Sequence, residues 1–146
     1  MAAHGPSATR VILVRHGETD WNAEGRIQGH LEIPLNERGL AQAAAVGERL
    51  AARPVSALYS SDLLRARQTA EALARRGGPS VRTDRRLREW DLGILSGLLR
   101  AAAADLHPEA FRILRDRVVD QQVPGGESIR TRSQRVTAAV QDIAGR

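Results

Sequence analysis

Apolar and polar positions fall into short alternating blocks along the chain. The first block, Val11-Ile12-Leu13-Val14, is a continuous apolar run that stops at Arg15-His16-Gly17. A run without polar alternation reads as a strand buried on both faces, as in a parallel sheet. A loop through Gly25, Gly29 and Pro34 follows. Asn36 then stands as N-cap to a helix over 37–52, with Leu40, Ala43, Ala44, Gly47 and Leu50 at helical spacing. A second short strand over 57–60 runs into Ser61-Asp62, which can cap a helix over 63–75, and a third strand is expected over 80–83. Residues 87–97 read as irregular, 98–105 and 108–117 as helical. The last element is a helix over 129–144, with Ile129, Val136, Val140 and Ile143 on one face. Strands alternating with helices predict an α/β protein, a three-layer α/β/α sandwich around a mostly parallel sheet. A flexible tail over 1–9 and a single domain over 10–146 complete the expected organisation.

Composition narrows the classes. A chain of 146 residues with 42% hydrophobic content suits one core. No apolar run approaches the roughly 18 residues of a membrane span, and Met1-Ala2-Ala3-His4-Gly5-Pro6 lacks the features of a signal peptide. The expectation is a cytoplasmic protein without a membrane partner. There is no cysteine, which excludes a thiolate nucleophile and cysteine-ligated metals. All 22 basic residues are arginines, so a lysine-bearing phosphate loop and Schiff-base chemistry are excluded as well. The net charge of +5 invites a nucleic-acid partner. The arginines are however interleaved with Asp and Glu, and aromatics make up only 3% of the chain, too few for base stacking. No nucleic-acid partner is expected.

The candidate chemistry lies at the end of the first strand. In open α/β sheets ligands bind beyond the carboxyl ends of the strands. There His16 offers a nucleophilic imidazole, Arg15 a fixed positive charge and Gly17 a backbone that can turn closely. These residue types together suit capture and transfer of a phosphoryl group.

Four motifs carry a resemblance. They are Arg15-His16-Gly17-Glu18-Thr19-x-Trp21-Asn22, continued by Arg26-Ile27-Gln28-Gly29, Pro34-Leu35, Gly39 and Gln42-Ala43; Tyr59-Ser60-Ser61-Asp62-Leu63-x-Arg65-Ala66-x-Gln68-Thr69-Ala70; Leu87-x-Glu89-x-x-x-Gly93-x-x-x-Gly97; and Pro124-Gly125-Gly126-Glu127-Ser128. In this order they resemble the histidine phosphatase superfamily, the phosphoglycerate mutase-like family. The resemblance implies that His16 attacks phosphorus as a neutral imidazole and becomes phosphohistidine, its tautomer fixed by a hydrogen bond to the Gly17 carbonyl. It implies that Arg15 and Arg65 clamp the phosphate oxygens, that Asn22 makes a further phosphate contact, and that Gln28 and Gly29 touch the substrate. It implies that Glu89 protonates the leaving oxygen and then deprotonates water, and that no metal takes part. The function implied is a phosphomonoester hydrolase acting on a small phosphorylated metabolite without a cofactor. Two alternatives stand beside it: a phosphoglycerate mutase dependent on 2,3-bisphosphoglycerate, and a non-catalytic paralogue that binds a phospho-ligand. A homodimer is left open.

Other polar residues have plainer readings. Arg67 is expected as a solvated helix arginine, and His30 and His107 as incidental. Glu18 either orients the loop or faces water. The family's mutases carry an arginine directly after the acid and a tyrosine two residues further on; Trp90 and Leu92 stand there, and 97–124 is short, which favours the phosphatase. Arg100 matches a basic position of the mutases. Trp90 in a pocket wall would favour a partly apolar leaving group. The resemblance also implies a second histidine, in a His-Gly pair after a late apolar strand beside the first one. The residues stop at Gly145-Arg146, about where that strand would begin, and the encoded protein is expected to continue. Without that neighbour the first strand would have unpaired backbone groups and an uncovered face.

Overall fold

A computed structural model describes residues 9–146, so the tail expected over 1–9 lies, except for Thr9, outside the described residues. The elements are α1 (Asp20–Glu24), α2 (Glu37–Ala51), β1 (Leu58–Ser60), α3 (Leu64–Ala74), β2 (Val81–Thr83), α4 (Arg100–Leu106), α5 (Pro108–Asp116) and α6 (Ile129–Ala144). Short 3-10 turns lie at Arg85–Leu87 and Gly93–Leu95.

The α/β alternation expected from the pattern is present, with β1 and β2 paired in parallel, Leu58 opposite Val81 and Ser60 opposite Thr83. Helix α3 connects the two strands and packs against both, while α2 packs on α3. The first expected strand, the apolar run 11–14, is a correction. Residues 11–14 join no ladder among the described residues, and Leu13 is 82% exposed. A strand exists through its partner's hydrogen bonds, and no described segment lies alongside to supply them.

Helix α2 starts where expected, because the Asn36 Oδ1 accepts from the Gly39 N–H at 2.8 Å. Gly39 also lets the first turn of α2 touch the His16 loop. A Cβ on Gly17 would collide with the Gly39 carbonyl, and one on Gly39 with the backbone of Glu18. Leu40, expected on the apolar face, is exposed, and Ala43 and Gly47 do the burying. The start of α3 differs from expectation. Asp62 does not cap it, because both its carboxylate oxygens accept from Arg88, at 2.6 Å each, a stronger bidentate charge pair. Ser61 Oγ accepts from Leu63 N–H at 3.2 Å instead, and Glu32 from Leu64 N–H at 2.7 Å. Helix α1, inside the expected loop, went unread in the sequence because five residues are too short to show a period.

The main apolar cluster lies under the loop that carries Glu89. Trp90, Leu92 and Leu95 pack there with Ile27, Ala103 and Val123, so α4 and the glycine-rich turn at 124–126 anchor that loop from below. Gly93 and Gly126 make this possible, since a Cβ on either would strike the backbone of the other segment.

Candidate active site

All seven residues singled out in the sequence, Arg15, His16, Asn22, Gln28, Gly29, Arg65 and Glu89, line one cavity of about 440 Å³. A second hollow of about 430 Å³ along α6 shares no residue with it, and its one titratable group, Arg130, is paired with Asp120. Among the described residues no group of three or more His, Cys, Asp or Glu could hold a metal ion.

His16 is half-buried, and its Nδ1 lies 2.7 Å from the Gly17 carbonyl oxygen, as expected. A carbonyl only accepts, so Nδ1 bears the hydrogen and Nε2 keeps its lone pair. Burial holds the imidazole pKa below its ordinary 6.5; the Gly17 carbonyl opposes this, and the positive charges of Arg65 and Arg15 add to the lowering. Gly17 N–H donates to Thr69 Oγ1 at 3.1 Å, and that hydroxyl donates to the Arg65 carbonyl at 2.8 Å. The nucleophile loop is thereby tied to the helix that carries Arg65.

Arg65 is 1% exposed and has no carboxylate partner among the described residues. Its Nη1 donates to Leu31 O and its Nη2 to Gly29 O, each at 2.8 Å, which orients the guanidinium and leaves further N–H groups for an anion. Burial lowers its pKa, against the pull of Glu89 and Glu32, yet an arginine stays a cation. A buried cation held by carbonyls alone is half of an ion pair.

Thr19, fully buried, sets two amides. Its N–H donates to Asn22 Oδ1 at 3.1 Å and its hydroxyl to Gln28 Oε1 at 2.9 Å. Both amide oxygens are thus occupied, and both NH₂ groups are left as donors, which suits phosphate oxygens. Asn22 is also the third residue of the α1 capping box, and Thr19 as its N-cap is a positioning residue whose part was not read from the sequence.

Glu89 is exposed at the cavity wall, its Oε1 accepting from Trp90 N–H at 2.7 Å and lying 3.8 Å from Arg132. Its backbone is clamped. Arg135 on α6 donates to the carbonyls of Arg86, Arg88 and Glu89 at 2.8, 2.7 and 2.7 Å and pairs with Glu127, whose carbonyl accepts from Trp90 Nε1 at 2.8 Å. The fourth motif therefore works as a brace for the third.

Two plainer readings are revised, and the open one for Glu18 is settled. His30 is not incidental: its Nε2 donates to the Glu89 carbonyl at 2.7 Å and its Nδ1 lies 3.5 Å from Asp91 Oδ2. Arg67 is half-buried, its Nε without a partner among the described residues, rather than solvated. Glu18 orients the loop, accepting from Asn36 Nδ2 at 3.1 Å and lying 3.4 Å from Arg38. His107 sits at the junction of α4 and α5, away from the cavity lining. The cavity also has walls that carried no site role in the sequence, Arg26 from the first motif and Arg115, Arg117 and Arg132 from segments read only as helices.

The family model of the histidine phosphatase superfamily (branch 1) matches residues 11–146. The chain belongs to that superfamily. It is 46% identical over 136 residues to a phosphoglycerate mutase-like protein of Arabidopsis thaliana, covering 91% of this chain and 59% of that protein. It is 44% identical over 131 residues to a probable phosphoglycerate mutase of Citrobacter koseri, covering 90% and 61%. Among solved structures, a mycobacterial glucosyl-3-phosphoglycerate phosphatase in complex with VO3 superimposes with a TM-score of 0.81 at 38% identity, over 89% of this chain and 64% of that one. The α/β fold is thus that of the phosphoglycerate mutase-like proteins. The chain spans about three fifths of the length of these curated relatives.

Proposed function

We propose that this protein is a phosphomonoester hydrolase of small phosphorylated metabolites working through phosphohistidine. The observation that carries the reading is His16, a neutral imidazole with Nδ1 tied to Gly17 and Nε2 free, facing the same cavity as the unpaired cation of Arg65. In this reading Arg15, Arg65 and the amides of Asn22 and Gln28 hold the phosphate oxygens and offset the charge of the transition state. Nε2 bonds to phosphorus as the ester oxygen leaves, and that oxygen takes a proton from Glu89. The carboxylate so formed takes a proton from water, which attacks phosphorus and releases inorganic phosphate and free His16. We take the setting to be the cytoplasm, on the lack of cysteine. No helix of the described residues is long and apolar enough to cross a membrane.

Phosphoglycerate mutase activity is the second reading, favoured by the names of the curated relatives and by Arg100 in the cavity wall. Trp90 and Leu92, where the family's mutases carry arginine and tyrosine, support hydrolysis instead. Reaction with a ³²P-labelled phosphomonoester and denaturation should trap an acid-labile phosphohistidine that His16→Ala lacks. A wild-type protein that binds phosphate but never acquires label would be the non-catalytic paralogue. Assay of 3-phosphoglycerate with trace 2,3-bisphosphoglycerate beside a phosphomonoester panel separates the enzymes, and rapid isomerisation would overturn the hydrolase.

A further inference from the structure

We propose that Gln42 is a positioning residue of the nucleophile: through the Gly17–Glu18 peptide it sets the tautomer of His16 and strengthens Nε2 as the attacking atom. The inference rests on the phosphohistidine reading above, in which Gln42, from the continuation of the first motif, has no part. The carbonyl that holds His16 Nδ1 at 2.7 Å belongs to the Gly17–Glu18 peptide, and the N–H of the same peptide donates to Gln42 Oε1 on α2 at 2.8 Å. In a trans peptide the N–H and the carbonyl point in opposite directions, so the two hydrogen bonds lie at the two ends of one rigid plane. A backbone N–H only donates, which makes the facing Gln42 atom the amide oxygen. A line of hydrogen bonds thus runs from Gln42 through the peptide to Nδ1–H, and each bond polarises the next. An acceptor on the Glu18 N–H makes the Gly17 carbonyl a better acceptor, and a better acceptor at Nδ1 makes Nε2 more electron-rich. In a hydrolytic triad a carboxylate does this for the histidine. Here a neutral amide does it from across a peptide.

The peptides on either side have supports of their own. The Gly17 N–H donates to Thr69 Oγ1 of α3 at 3.1 Å, and the Glu18 carbonyl accepts from the Asn36 N–H at 3.0 Å. Gly39 covers one side of the peptide between them: a Cβ added there would stand 2.7 Å from the Glu18 nitrogen, and one added to Gly17 would stand 2.4 Å from the Gly39 carbonyl oxygen. Gln42 is therefore the side chain that holds the plane facing His16. The charged groups around the imidazole come from other directions, Arg15 beside it, Arg65 from α3 and Glu89 from the third motif, and on the α2 side Glu18 pairs with Arg38 at 3.4 Å. Gln42 itself is exposed, so replacing it opens no cavity in the core.

The test follows the ring nitrogens of His16 by NMR across pH in protein labelled with ¹⁵N-histidine, the signals assigned by their loss in His16→Ala, beside kinetics on a phosphomonoester. The wild type should show one neutral tautomer, with its hydrogen on Nδ1. Gln42→Leu keeps helix propensity and removes the acceptor without changing charge. It should turn the neutral form into a mixture of tautomers and lower the proton affinity of His16 about 2- to 5-fold. It should also lower kcat about 5- to 10-fold at unchanged KM, the size of one hydrogen bond. Gln42→Glu keeps an acceptor in place and should move the proton affinity the opposite way, with kcat within about threefold of wild type. A residue that merely fastened the loop to α2 would change the melting temperature and leave the imidazole signals where they are. If the tautomer and proton affinity of His16 in Gln42→Leu equal those of the wild type, Gln42 has no hold on the nucleophile and the inference fails, while the phosphate chemistry at His16 stands. If the wild type acquires no phosphohistidine from a labelled phosphomonoester, the underlying reading fails, and the role of Gln42 with it.

Discussion

At the scale of single residues the decisive quantity is the protonation state of His16. Its pKa is lowered, chiefly by burial, so the unfolded chain takes up a proton before the folded one does. Stability therefore falls as pH drops below the ordinary 6.5 and stops falling once the folded imidazole also titrates. The acid limb of kcat/KM should have its midpoint below 6.5, since that profile reports the free enzyme. A midpoint at or above that value would mean that another group controls the limb. The cavity lining was legible at this scale because a histidine and an arginine at the end of an apolar run, within an ordered set of motifs, are chemically narrow residue types with few other uses. Thr19 was not legible because its contacts to Asn22 and Gln28, three and nine residues on, follow no periodicity, and His30 was not because it reaches the Glu89 carbonyl from 59 residues away. Asp62 was misread for the same reason. Beside a helix start it looks like a cap, and only the fold brings Arg88 to it.

At the scale of elements, α6 governs the loop of the proposed acid. Arg135 satisfies the carbonyls of Arg86, Arg88 and Glu89 and pairs with Glu127, so Arg135→Ala leaves the part-buried carbonyls of Arg86 and Arg88 and the Glu127 carboxylate without that donor and should cost about 1–3 kcal/mol in a denaturant titration. A purely structural brace would lower all rates alike. If Arg135 positions Glu89, the variant should slow hydrolysis of alkyl phosphates about 10- to 100-fold while p-nitrophenyl phosphate, whose leaving group needs little protonation, changes much less. Glu89→Gln should have the same selectivity, and Arg135→Lys should recover part of the rate. Equal losses on both substrates would assign Arg135 to the fold alone. Helix boundaries were largely legible, because Asn36 is a true N-cap and α6 spans the expected residues, with Ser128 as the cap the fold adds. Helix α1 was not, since its evidence is a capping box rather than a periodicity.

At the scale of the whole molecule, the apolar run 11–14 is open, with Val11, Ile12 and Val14 between 44% and 46% exposed. An unpaired apolar segment is a template for pairing with another copy. This chain should self-associate with rising concentration in sedimentation velocity, and Leu13→Lys should suppress that while changing stability by less than about 0.5 kcal/mol. Unchanged association in that variant would place the contact elsewhere. The sequence by itself determined the α/β alternation, the Asn36 cap and a set of candidate residues that line one cavity, because periodicity, hydrogen-bonding side chains and chemical type are local properties. Only the tertiary structure decided which strands pair, which of the many arginines meet a carboxylate and which stand unpaired in the cavity. Those outcomes depend on distance through space between residues far apart in the chain, which a linear pattern does not carry.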